Sequence, residues 1–552
     1  MRTLWASVAA VVAVSLSCGG KPPPPAAPAP PTWVAPALLA QVPADSPYVF
    51  ALLTPLSEKV RARMFGGFEQ QVAELWKTAK PGGGADLEPW IRAALALTNE
   101  LRGKDMKNWW RELGFDPSGR FVLYGLSLWP VMRIEVADPA RLRRVVEHAL
   151  SAAGVQPVRA TLEGRAYWTT GTAEVTFVAA VLDREAVIAV VPTPAVAAAL
   201  PQVLGIQAPA HSLSATTTVP DLLARHHLMG FLLGYLDAHR IVDIVTGRKP
   251  SAVDGPLHAW TGPVPASCGP DLDRLAAVAP RAVFGYRRLD ETGFEGLAVL
   301  EAPASVTTAL QRLHTAAPEV TEQLSGEPLF AMGTAFKVDE LVAVLRGVTS
   351  ELHSHPFACP WLASLNRAGD ELATKLAQPL PPGVRDVHGV SIVVDDATLT
   401  PPSVEGHLLV FGPGAAELAA MTAAAVPSLA ALHVPRDGVP VEVPAKQLGI
   451  PLSPIHVAMS ADRVAVATGA RSAVHAAAGM TSPVPSHSPL FSSSFDAPRL
   501  RRLTAKLSRN HPDNLNYLGY VGMSLDVDND GLRFAAWGSW STSAALTPAA
   551  TP

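Results

Sequence analysis

From Met132 to Val136 apolar and polar residues alternate with the period of a strand, and the run ends at Asp138-Pro139. The aspartate predicts a helix N-cap, and proline suits the first helical position because its missing donor would have no partner there. Leu142, Val145, Val146, Ala149 and Leu150 follow at helical spacing, an apolar stripe that has to lie on a sheet. The step from strand to proline returns at Thr193-Pro194, Ala302-Pro303 and Gly412-Pro413. Between these steps lie hairpins. Val175 to Val191 turns at Asp183-Arg184-Glu185, and Pro454 to Thr468 turns near Ala461-Asp462. Hairpins mixed with strand-to-helix steps predict an α+β body, a mainly antiparallel sheet with helices packed on one face.

Similar words recur in order along the chain. Pro89-Trp90-Ile91 is echoed by Pro360-Trp361-Leu362, Gly125-Leu126-Ser127-Leu128 by Gly389-Val390-Ser391-Ile392, and Asp138-Pro139 by Gly412-Pro413. Gly164 is matched by Gly438, Phe177-Val178-Ala179 with Asp183-Arg184 by His456-Val457-Ala458 with Asp462-Arg463, and Gly234-Tyr235 by Gly519-Tyr520. Offsets between 264 and 285 residues predict a tandem duplication, two similar lobes at 42–250 and 270–545. The Pro and Gly-rich stretch 251–269 is the expected linker, and 546–552 a disordered tail.

Composition narrows the class. With 44 Lys or Arg against 48 Asp or Glu the net charge is -4, which excludes a basic nucleic-acid binder. An apolar share of 48% supplies large cores, so the chain is not a disordered one.

The N-terminus reads as an address. Arg2 precedes a charge-free run from Leu4 to Leu16, too short to cross about 30 Å of hydrocarbon as a helix, so 1–17 is expected to be a signal peptide. Residues 18–41 then form a Pro and Ala-rich tether, whose stretch from Lys21 to Pro36 would extend roughly 50 Å. Ala186 to Ile206 is free of charge but holds Pro192, Pro194 and Pro201, and reads as strand, turn and short helix rather than a membrane span. Ser15-Leu16-Ser17-Cys18, with the segment Val42-Pro43-Ala44-Asp45-Ser46-Pro47-Tyr48-Val49, resembles bacterial outer-membrane lipoproteins of an uncharacterised family. The resemblance implies lipidation of Cys18, with palmitate among its acyl chains, and an α+β body held at the outer membrane. It transfers no catalytic residue. Cys268 and Cys359 remain; in an oxidising envelope they can pair across their 91-residue separation or stay as two buried thiols.

The chemistry-bearing motifs mostly resolve into structure. Asp526-Val527-Asp528-Asn529-Asp530-Gly531 begins like a calcium loop, but Trp537 stands where the bidentate Glu belongs, and the alternating flanks predict a hairpin. Gly125-Leu126-Ser127, Gly389-Val390-Ser391 and Gly522-Met523-Ser524 lack the second glycine of a nucleophile elbow and read as strands. His353 and His355 near Cys359 read as a solvated loop, and His226, His227 and His239 as ordinary edge residues. Trp109-Trp110 reads as core packing. The sequence thus implies no catalytic residue, no metal site and no cofactor. The expected partners are the membrane, through the N-terminal lipid, and an unidentified envelope protein, glycan or lipid; nucleic acid is excluded. The leading expectation is a non-catalytic binding or scaffolding lipoprotein of the envelope. The alternatives are a carrier of a lipid or other apolar ligand, and a hydrolase whose site is assembled between the lobes.

Overall fold

A computed structural model describes residues 35–61, 106–152, 156–249, 264–322, 326–381, 383–399, 401–425, 433–444, 454–504 and 518–541, with a few isolated positions between them. The signal segment, most of the tether and Pro89-Trp90-Ile91 lie outside the described residues. These residues are α+β, with antiparallel pairing throughout, and fall into two compact units that divide between Glu291 and Thr292. That division lies beyond the 251–269 stretch.

The first unit runs β1 (Tyr48–Leu52), α1 (Met106–Leu113), β2 (Phe121–Leu126), β3 (Trp129–Glu135), α2 (Pro139–Ala152), β4 (Val158–Leu162), β5 (Arg165–Gly171), β6 (Val175–Val181), β7 (Glu185–Pro192), α3 (Val196–Val203), α4 (Thr218–Arg225), β8 (Leu232–Asp237), α5 (Ala238–Val245), α6 (Cys268–Val278) and β9 (Arg281–Leu289). Its strands pair in the order β4-β5-β6-β7-β3-β2-β1-β8-β9.

The second unit runs β10 (Gly293–Glu301), α7 (Ala304–Gln311), β11 (Phe330–Ala335), α8 (Val338–Ser354), α9 (Ala363–Leu376), β12 (Gly389–Leu399), β13 (Pro402–Phe411), α10 (Ala415–Ala425), β14 (Val441–Val443), β15 (Ile455–Met459), β16 (Arg463–Thr468), α11 (Ser472–Thr481), β17 (Phe491–Asp496), α12 (Ala497–Thr504), β18 (Leu518–Val527) and β19 (Gly531–Trp540). Here the order is β14-β15-β16-β13-β12-β11-β17-β18-β19-β10.

Local grammar becomes structure where it was most explicit. Asp138 Oδ1 accepts from the Arg141 amide at 2.8 Å, capping α2 one residue before Pro139. On α2, Leu142 and Ala149 are buried, and Val145, Val146 and Leu150 pack beside them against Ile134, Val181 and Ala186. Arg133, the strand neighbour of Ile134, points to the other face, because successive side chains on a strand alternate. There its guanidinium, 0% exposed, donates to the carbonyls of Gln202 and Val203 at the C-terminal end of α3. Helices therefore lie against both faces of the first sheet at β3, where a single covered face was expected.

Among the described residues no helix is long and apolar enough to cross a membrane. Ala186 to Ile206 forms most of β7, a 3₁₀ turn and α3, as its prolines require.

Candidate functional site

In the second unit small residues bring a helix down onto the sheet. Ala458, Ala467 and Ala476 form a buried cluster with Met480 packed against it, and a Cβ added at Gly479 of α11 would lie 3.1 Å from that of Ala465. Such close approach puts α11 within reach of polar side chains on the strands below. On β12 and β13 the positions sharing this face are Ser391, Val393, Glu405, His407 and Leu409, since Ser391 pairs with Leu409 and Val393 with His407. Asp395 is the unpaired residue of a bulge between Val394 and Asp396, in phase with Val393.

A buried carboxylate anchors the group. Glu319 sits between α7 and β11 with φ 63°, a left-handed conformation that is strained for a residue with a Cβ. Its Oε2 is 2.8 Å from His407 Nε2 and accepts from Ser391 Oγ at 2.9 Å, while Oε1 accepts from Ser482 Oγ at 2.9 Å. Burial by itself would raise the Glu319 carboxyl, but these hydrogen bonds and the neighbouring imidazole outweigh it and hold the group below its usual range. The opposite contest runs at His407: burial lowers its pKa, and Glu319 overcomes that and raises it.

His475 on α11 stacks over His407, ring centroids 5.8 Å apart and planes 20° from parallel. Its Nε2 is 3.2 Å from Glu405 Oε1, and its Nδ1 is 3.4 Å from Asp395 Oδ2. Arg471 Nε donates to Glu405 Oε1 at 2.5 Å, chiefly through which Glu405 is held below its ordinary pKa. Two buried atoms here have no hydrogen-bond partner, His407 Nδ1 and Asp395 Oδ2. One ligand atom each from Asp395, His407 and His475 lie within 4.8 Å of one another.

A second group, His314, His487 and Asp526, has the same composition but a different wiring. Asp526 Oδ1 is 2.8 Å from His314 Nε2 and its Oδ2 2.7 Å from His487 Nε2, and Oδ1 also accepts the Val527 amide at 2.8 Å. Both carboxylate oxygens are thus consumed in pinning two loops to β18.

The residues singled out in the sequence mostly take bland places. Asp526 to Gly531 closes the β18–β19 hairpin, where Asp528 Oδ1 accepts the amides of Asp530 and Gly531. Ser391 and Ser524 lie on strands, whereas Ser127 lies on the β2–β3 turn with φ 57°, a conformation that the strand reading did not anticipate. His353 and His355 are 84% and 68% exposed near the end of α8, next to Asp370 and Glu351 respectively. Trp110 packs edge-on against Phe115. Cys268 opens α6 in the first unit and Cys359 precedes α9 in the second, both buried; Cys18 lies outside the described residues. His456 Nδ1 is 2.9 Å from Ser472 Oγ, but Ser472 is 0% exposed, out of reach of a substrate carbonyl. The pocket beside Glu319, about 10 Å³ and lined by Thr321, Glu322 and Ser492 to Ser494 as well as by apolar side chains, is too small to bed an acyl chain.

No protein-family model, curated protein or solved structure matches this chain.

Proposed function

We propose that the protein is an exported, lipid-anchored binding or scaffolding body, held at the outer membrane through Cys18 on the Pro and Ala-rich tether, and not a hydrolase. The observation that carries the non-catalytic reading is the state of the buried carboxylate. Glu319 accepts three hydrogen bonds and is held below its usual range, which makes it a poor proton acceptor and a good fixed charge. The address rests on the sequence, on Cys18 and the tether.

We further propose that the two units are copies of one module. Support comes from eight strands in one order, β5-β6-β7-β3-β2-β1-β8-β9 in the first and β14-β15-β16-β13-β12-β11-β17-β18 in the second. Helices follow β3 and β13, β7 and β16, β8 and β17. Asp237-Ala238-His239-Arg240 and Asp496-Ala497-Pro498-Arg499 end the last of these strand pairs, each Asp accepting the Arg amide, at 3.1 and 2.8 Å.

Metabolic labelling with a palmitate analogue tests the address: wild type takes up label and sediments with membranes, and Cys18→Ala does neither. Equal labelling of the two proteins overturns the anchor. Capture by a fluorophosphonate serine probe would overturn the non-catalytic reading, and a lipid co-purifying in native mass spectrometry would favour the carrier instead.

A further inference from the structure

We propose that Asp395, His407 and His475 form a binding site for a divalent transition cation of the zinc class, with two imidazole nitrogens and one carboxylate oxygen as ligands.

Each ring turns one nitrogen to a carboxylate. His407 Nε2 faces the Glu319 carboxylate at 2.8 Å, so a hydrogen belongs on Nε2, and Nδ1 is the nitrogen left to meet a cation. His475 repeats the arrangement with Glu405, 3.2 Å from its Nε2, which leaves Nδ1 facing Asp395 Oδ2 at 3.4 Å. A metal-binding histidine characteristically donates its other N–H to a carboxylate, which fixes the tautomer and makes the ligating nitrogen more basic. Here both histidines do so, each to its own carboxylate.

The freed atoms converge. His407 is 8% exposed, yet among the described residues its Nδ1 has no hydrogen-bond partner, and Asp395 Oδ2, also without one, has only the 3.4 Å contact with His475 Nδ1. Leaving a buried acceptor unpaired is costly, and a group that brings two such atoms together calls for a shared partner. Zinc ligands sit about 2.0–2.2 Å from the metal, hence roughly 3.3 Å apart in a tetrahedron, so three atoms already within 4.8 Å need only modest inward rotation.

Charge points the same way. Glu319, Asp395 and Glu405 supply three carboxylates, and among the described residues the arginine paired with their side chains is Arg471, so with the imidazoles in the neutral form that ligates a metal the cluster has two negative charges in excess, matching a divalent cation. Nitrogen donors select this class over magnesium or calcium, which take oxygen ligands in sixes to eights. Three protein ligands leave a fourth position for water or a small ligand. The His314, His487 and Asp526 group lacks this openness, since hydrogen bonds already occupy both oxygens of its carboxylate. The inference is independent of the lipid anchor and of the duplication.

The test is titration of the full chain, purified in detergent, with Zn²⁺ alone against a chromophoric chelator. The expected result is one equivalent bound per chain, not displaced by millimolar Mg²⁺ or Ca²⁺, with affinity falling at least 10-fold in His475→Ala and in Asp395→Asn. Neither side chain is fully buried, and Asp395→Asn is isosteric, so a folded variant with an unchanged metal-free melting temperature is available even if His407→Ala does not fold. Glu405→Gln, which removes only the partner of His475, weakens binding by roughly 10 to 100-fold. Asp526→Asn and a His353→Ala, His355→Ala double variant should bind as wild type does. No stoichiometric binding, binding indifferent to His475→Ala and Asp395→Asn, or binding lost in Asp526→Asn instead overturns the proposal.

Discussion

Replacing Arg133 by methionine tests whether the first unit depends on a buried charge in the way its geometry requires. The guanidinium is 0% exposed, 2.6 Å from Glu185 Oε1, donates to the Gln202 and Val203 carbonyls at 3.0 and 2.8 Å, and reaches the Tyr124 hydroxyl at 3.4 Å. Burial is the main reason the Tyr124 hydroxyl is raised, so it stays a neutral partner. Methionine fills much of the volume but leaves Glu185, itself 19% exposed, with its carboxylate uncompensated and the end of α3 without its donor. Breaking a buried pair from one side costs about 3–5 kcal/mol. For a unit of this size that corresponds to a fall in melting temperature of about 10 °C. Removing both charges, Arg133→Met with Glu185→Leu, should recover at least half of the loss, because an apolar pair of similar volume is often no worse than the ion pair. The measurement is urea unfolding of the full chain followed by tryptophan fluorescence, and if the two units melt separately only one transition should move. A single variant within 1 kcal/mol of wild type, or a double variant no more stable than the single, would refute the account.

Asp526 gives a pH signature. Burial alone would raise it, and the hydrogen bonds from His314 and His487 pull it below its ordinary 3.8. A depressed carboxylate contributes stability above its unfolded pKa and loses it as pH falls through the folded one, so wild type should exceed Asp526→Asn in denaturation midpoint from pH 5 to 7. The gap should close below about pH 4, and a gap that widens with acid contradicts the sign. Cys268 and Cys359, both buried, we propose to be paired: iodoacetamide in guanidinium without reductant should label neither, and after reduction both. The pair would contribute about 4 to 5 kcal/mol in the chain-entropy model, and two labels before reduction exclude it.

Much of the fold was legible because its signals are local. Asp138-Pro139, the hairpin turns at Asp183 to Glu185 and at Ala461-Asp462, and the α2 stripe each lie within a dozen residues, where steric and hydrogen-bonding rules act directly. If the two units are copies as proposed, two of the word pairs behind the expected repeat are misaligned. Tyr235 lies on β8 and Tyr520 on β18, strands whose places in the two pairing orders differ, so that word pair aligned unlike elements. The match of Phe177-Val178-Ala179 to His456-Val457-Ala458 is one residue out. The two turns correspond as Leu182 to Ser460 and Glu185 to Arg463, each closed by a 2.8 Å hydrogen bond between its first and last residues. A slip of one exchanges the faces of a strand, and burial shows it, since Ala180 and Ala458 are the buried partners at 1% and 0%. Asp237-Ala238-x-Arg240 and its echo at Asp496 were a better signal, because cap chemistry constrains both ends of a four-residue word.

The candidate site was illegible for the converse reason: Glu319, Ser391, Asp395, Glu405, His407, His475 and Ser482 come from two strands, one helix and two connecting segments, and no short spacing joins them. One mark was available, a histidine in phase with Leu409 along an apolar strand, where a core residue was due. On the proposed correspondence the two units differ at this position. Phe411 pairs with Arg463 and Glu135 with Glu185, so counting back along β13 and β3 sets Leu409 against Arg133 and His407 against Val131. Val131 is 0% exposed, packed in a place where the second unit carries an imidazole. Each sheet therefore buries an ionisable group beneath the helix that follows its second hairpin, but at positions two residues apart and for different ends. Arg133 is spent on the carbonyls of α3, which fixes a helix. His407 spends one nitrogen on Glu319 and keeps the other unpaired toward Asp395. On that proposed correspondence the first group is committed wholly to packing and the second keeps a nitrogen unpaired, so a ligand is offered one site at this position per chain, and it lies under α11.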